Sequence, residues 1–208
     1  MVAGLPGENM SEPNIIGAYD EIAPFYETYS SKRQHYLDAI DDLVIEHFES
    51  ASRWLDIGAG DGRRLEKIRK RTSSKNIVAI EPSAEMAKIC AAKTGVKVYQ
   101  EVGENIDKLD IGDFDVGTAL WNIFGHIPTS IARIQTLINI HEKLKPGGKL
   151  MLDVNNRHNA LAYGKGRVFM RVIIDALNFQ ESRGDAKYDW EIGDKVFKAR
   201  SHLFTPSE

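Results

Sequence analysis

Asp56, Gly58, Gly60 and Gly62 stand at alternate positions of the stretch Arg-Trp-Leu-Asp-Ile-Gly-Ala-Gly-Asp-Gly-Arg that runs from Arg53 to Arg63, and Glu81 follows further along the chain. Glycines at this spacing let backbone N–H groups and a helix N-terminus approach a phosphate or a ribose. An acid roughly 20 to 25 residues on supplies the other half of such a site, because its two oxygens accept both ribose hydroxyls by charge-assisted bonds. Asp56 is placed to brace the loop by accepting backbone N–H bonds. His126 is the best-placed candidate base, since imidazole titrates nearest to neutrality; its alternative role is a hydrogen-bonded support. The six histidines are scattered with no His-Glu-x-x-His spacing, and no Gly-x-Ser-x-Gly elbow occurs. Neither a metal centre nor a serine nucleophile is therefore expected.

The elements that must hold these residues are legible as short apolar runs. Trp54, Leu55 and Ile57 make a buried strand that meets the glycines at once, and Leu65 and Ile68 begin a helix. Ile77 to Ile80 is a second β-branched run and ends in Glu81-Pro82. A dinucleotide-binding loop needs its third glycine at the sixth position of the motif, where the helix packs closely on the strand. Here that position is Arg63 and the glycine falls one residue early, which counts against NAD. Ser83 caps a helix carrying Met86, Ile89 and Cys90 that Gly95 ends. Further strands are read at Val96–Tyr99, Phe114–Leu120 and Lys149–Val154. Between the last two lies a helix with Ile131, Ile134, Leu137, Ile138, Leu144 and a structural His141 on its apolar face, stopped by Lys145-Pro146-Gly147-Gly148. Alternation of strand and helix predicts an α/β fold with a doubly wound, mostly parallel sheet.

At these residues the chain resembles the class I S-adenosylmethionine-dependent methyltransferases of the small-molecule type, whose first motif is an apolar strand ending in Asp-x-Gly-x-Gly-x-Gly. Four motifs in order, from about Tyr19 to Arg157, carry the resemblance. It implies a Rossmann-like fold, S-adenosylmethionine as cofactor with S-adenosylhomocysteine as product, and a small-molecule acceptor. The cofactor positions it implies begin with Asp56, Gly58, Ala59 and Gly60 in the loop and Glu81 and Pro82 after the second strand. Tyr19 and Tyr26, in an opening segment that the family lays over the cofactor, are cofactor residues too, with plain aromatic packing as their alternative. Met86 is assigned to the adenine edge, with a core role as its alternative. The loop Glu101–Ile106 stands where the family grips adenine, often with an Asp; this chain offers Glu101, or Gly103, Glu104 and Asn105. Leu120 and Trp121 follow the fourth strand, where an aromatic face attracts a sulfonium as it does other cations. The Asn/Asp-Pro-Pro-aromatic tetrapeptide of nucleobase methyltransferases is missing from this position, which argues against DNA as substrate. Substrate contacts are expected from Asn122, Asp153, Asn155 and Arg157 at the strand tips.

The 208 residues suit one domain, and 42% hydrophobic with 27% charged content is typical of globular proteins. A net charge of −3 gives no reason to expect nucleic acid, no run is long enough to span a membrane, and the lone Cys90 suits a reducing cytoplasm. The basic run Arg63–Lys75 is read as mostly a solvated helix face. Residues 1–13 are expected to be a flexible tail and 14–208 a single domain: N-terminal helices over 14–50 with a break near Ser30-Ser31, a cofactor-binding core over 51–157, and a cap over 158–208. That cap comprises a helix at Arg167–Phe179 lying over the cleft and a hairpin of Ala186–Ile192 with Lys195–Phe204 turning at Gly193-Asp194. Thr205-Pro206-Ser207-Glu208 reads as a helix opening with nothing after it. The sheet edge is therefore expected to be unfinished, abbreviated by the hairpin or truncated, which invites pairing with a second copy. Two other functions fit the same residues: a non-catalytic S-adenosylmethionine-binding module, and an NAD(P)-linked oxidoreductase.

Overall fold

The computed structural model describes residues 14–208 apart from 75, 179, 193 and 194, so the expected tail and the tip of the hairpin turn lie outside the described residues. Five strands form one parallel sheet in the order β3-β2-β1-β4-β5: β1 (Arg53–Ile57), β2 (Asn76–Ile80), β3 (Lys97–Tyr99), β4 (Phe114–Ala119) and β5 (Leu144–Leu152). The order reverses between β1 and β4. In register, Ile57 lies opposite Ile80 and Asp56 opposite both Ala79 and Thr118, so β1, β2 and β4 end level. That is the switch point at which open α/β sheets bind ligands.

Helices cover both faces. Three precede the sheet: α1 (Ile15–Ile22), α2 (Tyr26–Ser31) and α3 (Gln34–Phe48). The break between the last two falls at Lys32-Arg33, one residue beyond the expected place. Of the helices that cross between strands, α4 (Arg63–Arg71) and α5 (Ala84–Thr94) follow β1 and β2, while α6 (Ile123–His126) and α7 (Ser130–Lys143) follow β4. Ser83 caps α5 by accepting from the Met86 N–H at 3.1 Å, and Gly95 ends it at φ +64°, as its Ser and Gly led one to expect. Trp54, Leu65 and Ile68 fill one side of the sheet, and Leu55, Ile80 and Ile140 the other. Among the described residues no helix is long and apolar enough to cross a membrane.

Beyond β5 come α8 (Ala160–Tyr163), α9 (Lys165–Leu177) and a separate antiparallel pair, β6 (Asp185–Ile192) with β7 (Lys195–His202). The hairpin is not an abbreviated edge of the main sheet. Its Trp190, Phe197 and Ala199 pack on Ile22, Ala23 and Tyr26 of the N-terminal helices and on Met86. An Asn156–Phe204 bridge ties this segment to the tip of β5. Thr205 donates to Glu208 Oε2 through both its N–H (2.7 Å) and its Oγ1 (2.9 Å), and residues 206–207 make a turn rather than a helix.

Three local expectations are corrected. In α7 the inward residues are Arg133, Thr136, Asn139 and Ile140, while Ile131, Ile134, Leu137, Ile138 and His141 face outward. The reason is polar: Asn139 donates to the carbonyls of Gly103 (3.1 Å) and Glu104 (2.8 Å), which a leucine cannot do. The Lys-Pro-Gly-Gly segment is no separate turn; it lies inside β5 as an irregularity in its pairing with β4. The run after Arg63 is not all solvated. Arg64 is buried with its Nε 3.2 Å from Asp41 and its Nη1 2.9 Å from Asp56, and Lys67 pairs with Asp38 and Asp41; Lys75 lies outside the described residues.

Candidate functional site

The loop after β1 is built by its glycines. Gly58, Gly60 and Gly62 all lie in the left-handed region, at φ +68°, +55° and +78°, where other residues are strained. The Gly58 N–H donates to the Ile80 carbonyl at 2.8 Å, tying the loop to the end of β2. Gly60 is the position that opens toward a ligand: a Cβ built there meets nothing within 4 Å, and the residue lines a cavity.

Glu81 sits at the far side of that loop, buried, with Oε2 accepting the Gly60 N–H at 2.7 Å and Oε1 the Ser83 N–H at 2.9 Å. Burial pushes its carboxyl up to about 7, against the two backbone bonds that favour the charged form. Each oxygen keeps a second lone-pair direction for a hydroxyl. Asp56 lies beneath the loop and does not line the cavity. It accepts not from backbone N–H groups, as expected, but from Thr118 Oγ1 (2.6 Å) and Arg64 Nη1 (2.9 Å). Arg64 in turn lies 4.7 Å from the centre of the Trp121 ring, so the first motif braces the fourth through a buried cation.

The cavity runs from Gly58, Gly60, Glu81 and Pro82 to Gly103 and Glu104, and then to Leu120, Trp121 and His126, with Tyr19 and Tyr26 over it. Ala59, Met86 and Asn105 do not line it: Ala59 and Met86 are in the core, and Asn105 donates to Glu101 Oε1 at 2.8 Å. Glu101 lines the rim instead, its carboxyl held low by that bond. Helix α1 is latched over the opening by Asp20, whose Oδ1 accepts from Ser83 Oγ (2.6 Å) and the Glu85 N–H (3.0 Å). A single-turn Ala23–Phe25 helix containing Pro24 interrupts the segment, yet the Tyr19 and Tyr26 rings remain 6.2 Å apart. Among the described residues the lining contains Glu81, Glu101 and Glu104 but no Lys or Arg. Such a surface suits an uncharged nucleoside carrying a cationic centre and repels a pyrophosphate.

His126 stands where this cavity meets a second of about 710 Å³, within the size of small-molecule sites. Tyr19, Tyr26 and Trp121 line both. His126 Nδ1 is 3.2 Å from the Arg200 carbonyl and Nε2 3.3 Å from the Tyr19 hydroxyl. A carbonyl only accepts, so the proton is on Nδ1 and Nε2 presents a lone pair. Burial lowers the imidazole pKa and raises that of the Tyr19 phenol, leaving a neutral histidine facing a neutral phenol.

The strand tips are more knotted than expected. Trp121 and Asn122 are the only non-glycine residues at positive φ among those described (+67° and +63°). Asn122 is held there from three sides: its N–H donates to Asp153 Oδ1 (2.9 Å), its Nδ2 to Ser201 Oγ (2.7 Å), and its Oδ1 accepts the Asn155 N–H (2.9 Å). Asn122 and Asn155 line the second cavity. Asp153 lies behind it, accepting from Tyr36 Oη at 2.6 Å, and Arg157 is buried against Asp175 at 3.1 Å. The sequence reading missed most of this cavity's wall. Tyr29, Tyr36, Tyr163, Tyr188 and Trp190 line it, and Trp190 stacks edge-on to Tyr19 at 5.1 Å.

Residues 55–150 match the family model described as a methyltransferase domain. No curated protein matches in sequence. Among solved structures, the DhpI–SAM–HEP complex aligns with a TM-score of 0.65 at 16% identity, over 96% of this chain and 87% of that one. SAM-bound CalS10, an amino pentose methyltransferase from Micromonospora echinaspora, aligns with a TM-score of 0.59 at 16% identity, over 97% and 86%. The sugar N-methyltransferase KedS8 from Streptoalloteichus sp ATCC 53650 gives 0.58 at 15%, over 100% and 85%. The fold is that of the Rossmann-like S-adenosylmethionine-dependent methyltransferases.

Proposed function

We propose that this methyltransferase-domain chain transfers a methyl group from S-adenosylmethionine to a small molecule held in the second cavity. The observation that carries the reading is the meeting of two cavities at one wall, Tyr19, Tyr26, Trp121 and His126. One side has the glycine loop and buried acid that a nucleoside needs; the other has room for an acceptor. When bound, S-adenosylmethionine supplies an electrophilic methyl on a sulfonium. The chain's residues do the rest. Glu81 accepts ribose hydroxyls, Glu101 and Glu104 face the base, and Gly60 leaves space for the ligand. Trp121 offers aromatic surface near a positive sulfur. Leu120, Ile123 and Ile127 keep water out.

On the acceptor side the chain's task is positioning, which supplies up to ~7–11 kcal/mol when the nucleophile is held in line. An acceptor displacing the Tyr19 phenol meets the Nε2 lone pair of His126, which takes the proton that a hydroxyl or ammonium must lose. The sugar acceptors of KedS8 and CalS10 support a small-molecule substrate. The reading is tested by transfer of labelled methyl from S-adenosylmethionine to a panel of amines, alcohols and carboxylates. Turnover of one class supports it; tight cofactor binding without turnover across the panel returns the chain to the non-catalytic binding module.

A further inference from the structure

The two cavities carry opposite charge. Among the described residues the first is lined by three glutamates and no Lys or Arg, and the second by Lys32, Arg33, Arg167 and Arg171 and by no Asp or Glu. Among the described residues none of these four cations has a carboxylate in ion-pairing distance. The Arg33 guanidinium lies over the Tyr29 ring at 5.7 Å; that of Arg171 lies over Tyr163 at 4.7 Å and donates to the Arg157 carbonyl at 3.1 Å. Other cations are matched by carboxylates, as Lys67, Lys70, Arg71, Lys88, Lys93, Lys145 and Lys198 are, but these four gather on one concave surface. Asp153, behind the wall, is already engaged by Tyr36 and the Asn122 N–H.

The cations come from two elements on the same hollow. Lys32 and Arg33 form the junction of α2 and α3, and Arg167 and Arg171, four residues apart, share one face of α9. Like charges gathered around a concavity without counter-charges repel one another, and a ligand anion relieves that repulsion. Guanidinium groups suit a carboxylate or phosphate in particular, because their donors form a planar fork.

We propose that the methyl acceptor carries an anionic group, a carboxylate or a phosphate, bound between Arg33 and the Arg167–Arg171 face, with its nucleophile directed inward to Tyr19 and His126. This rests on the methyl-donor reading above and names the acceptor class for the same site. The arginines fix the acceptor's remote end, and His126 faces the end that reacts. An acceptor with a second cationic centre is excluded from the hollow by the same four charges.

The test is calorimetry on the full chain. S-adenosylhomocysteine is titrated first, and inorganic phosphate and acetate are then titrated separately into the saturated protein. The expected result is saturable binding of at least one anion, weakened at least ~10-fold in the Arg33→Ala/Arg167→Ala double variant and unchanged in Lys88→Ala. Phosphate and acetate distinguish the two anion chemistries. Both arginines are exposed and unpaired, so circular dichroism of the double variant should match the parent. No saturable binding of either anion, or equal binding in the double variant, overturns the proposal while leaving the methyl-donor reading intact. Failure of S-adenosylhomocysteine to bind in the first titration overturns both.

Discussion

Glu81 Oε2 accepts the backbone N–H of Gly60 at 2.7 Å, so the acid at the end of β2 and the central glycine of the β1 loop form one unit. The level ends of β1 and β2 make that bond possible. It positions the carboxylate beside the cavity while holding the loop open. Strand register, loop conformation and ligand acceptor are therefore a single arrangement, and the first predictions concern its parts.

Glu81→Ala is expected to weaken S-adenosylmethionine binding by about 10- to 100-fold, the value of losing charge-assisted bonds. Calorimetry checks this, and unchanged affinity removes Glu81 from the site. A pH dependence follows from burial, which raises the carboxyl from 4.5 to about 7. Between those values the folded chain keeps a proton that the unfolded chain has released, so Glu81's contribution to stability declines as pH rises through that window. Cofactor affinity runs the other way: it should increase from about pH 6 to pH 8 as the carboxylate becomes a full acceptor. Glu81→Gln should flatten that profile.

Gly60→Val separates loop strain from ligand space. No atom lies within 4 Å of the added Cβ, so the cost to the fold is the φ of +55°, about 1–2 kcal/mol. Cofactor binding should be lost, because the new side chain occupies the cavity. Gly58→Ala fails differently, since its Cβ falls 2.2 Å from Ile123 Cδ1; its melting temperature should drop the further of the two. Normal cofactor binding by Gly60→Val contradicts the ligand loop as drawn.

His126→Gln is expected to leave cofactor affinity unchanged and to lower kcat by ~10²–10⁴-fold for an acceptor that must lose a proton. Since burial holds the imidazole below its ordinary pKa of 6.5, wild-type kcat should be flat above neutrality and fall as acid protonates Nε2. Equal kcat in the variant reduces His126 to a support for Tyr19.

Arg64→Met is expected to destabilise the chain by about 3–5 kcal/mol in urea unfolding, because Asp56 is left buried without its cation and Asp41 keeps only Lys67. Adding Asp56→Asn should restore part of the loss. Burial already raises the Asp56 carboxyl despite the neighbouring guanidinium. A loss below about 1 kcal/mol contradicts the brace.

What was legible in the sequence was local. Asp56 to Gly62 and Ile77 to Glu81 announce strand, turn and acid within a few residues each, and Ser83 and Gly95 mark both ends of α5. What was not legible required the chain to meet itself. Arg64 sits in a run of cations and looks solvated; its burial follows from Asp41 in α3, more than twenty residues earlier. Asn139 became part of the inner face of α7 because the Gly103 turn needed a donor, which hydropathy spacing does not register. The second cavity is assembled from α2, α3, α9 and β6. Its Tyr29, Tyr188 and Arg167 carry no shared spacing, and the hairpin's place over the cleft is decided by Trp190 and Phe197 packing on α1 and α2.

The most direct test is equilibrium binding of S-adenosylmethionine and NADH to the unmodified chain, measured side by side by calorimetry. The glycine loop, the buried Glu81 and a lining that carries three glutamates and, among the described residues, no Lys or Arg predict saturable one-to-one binding of S-adenosylmethionine and none of NADH. Binding of NADH without S-adenosylmethionine would contradict the account at its centre.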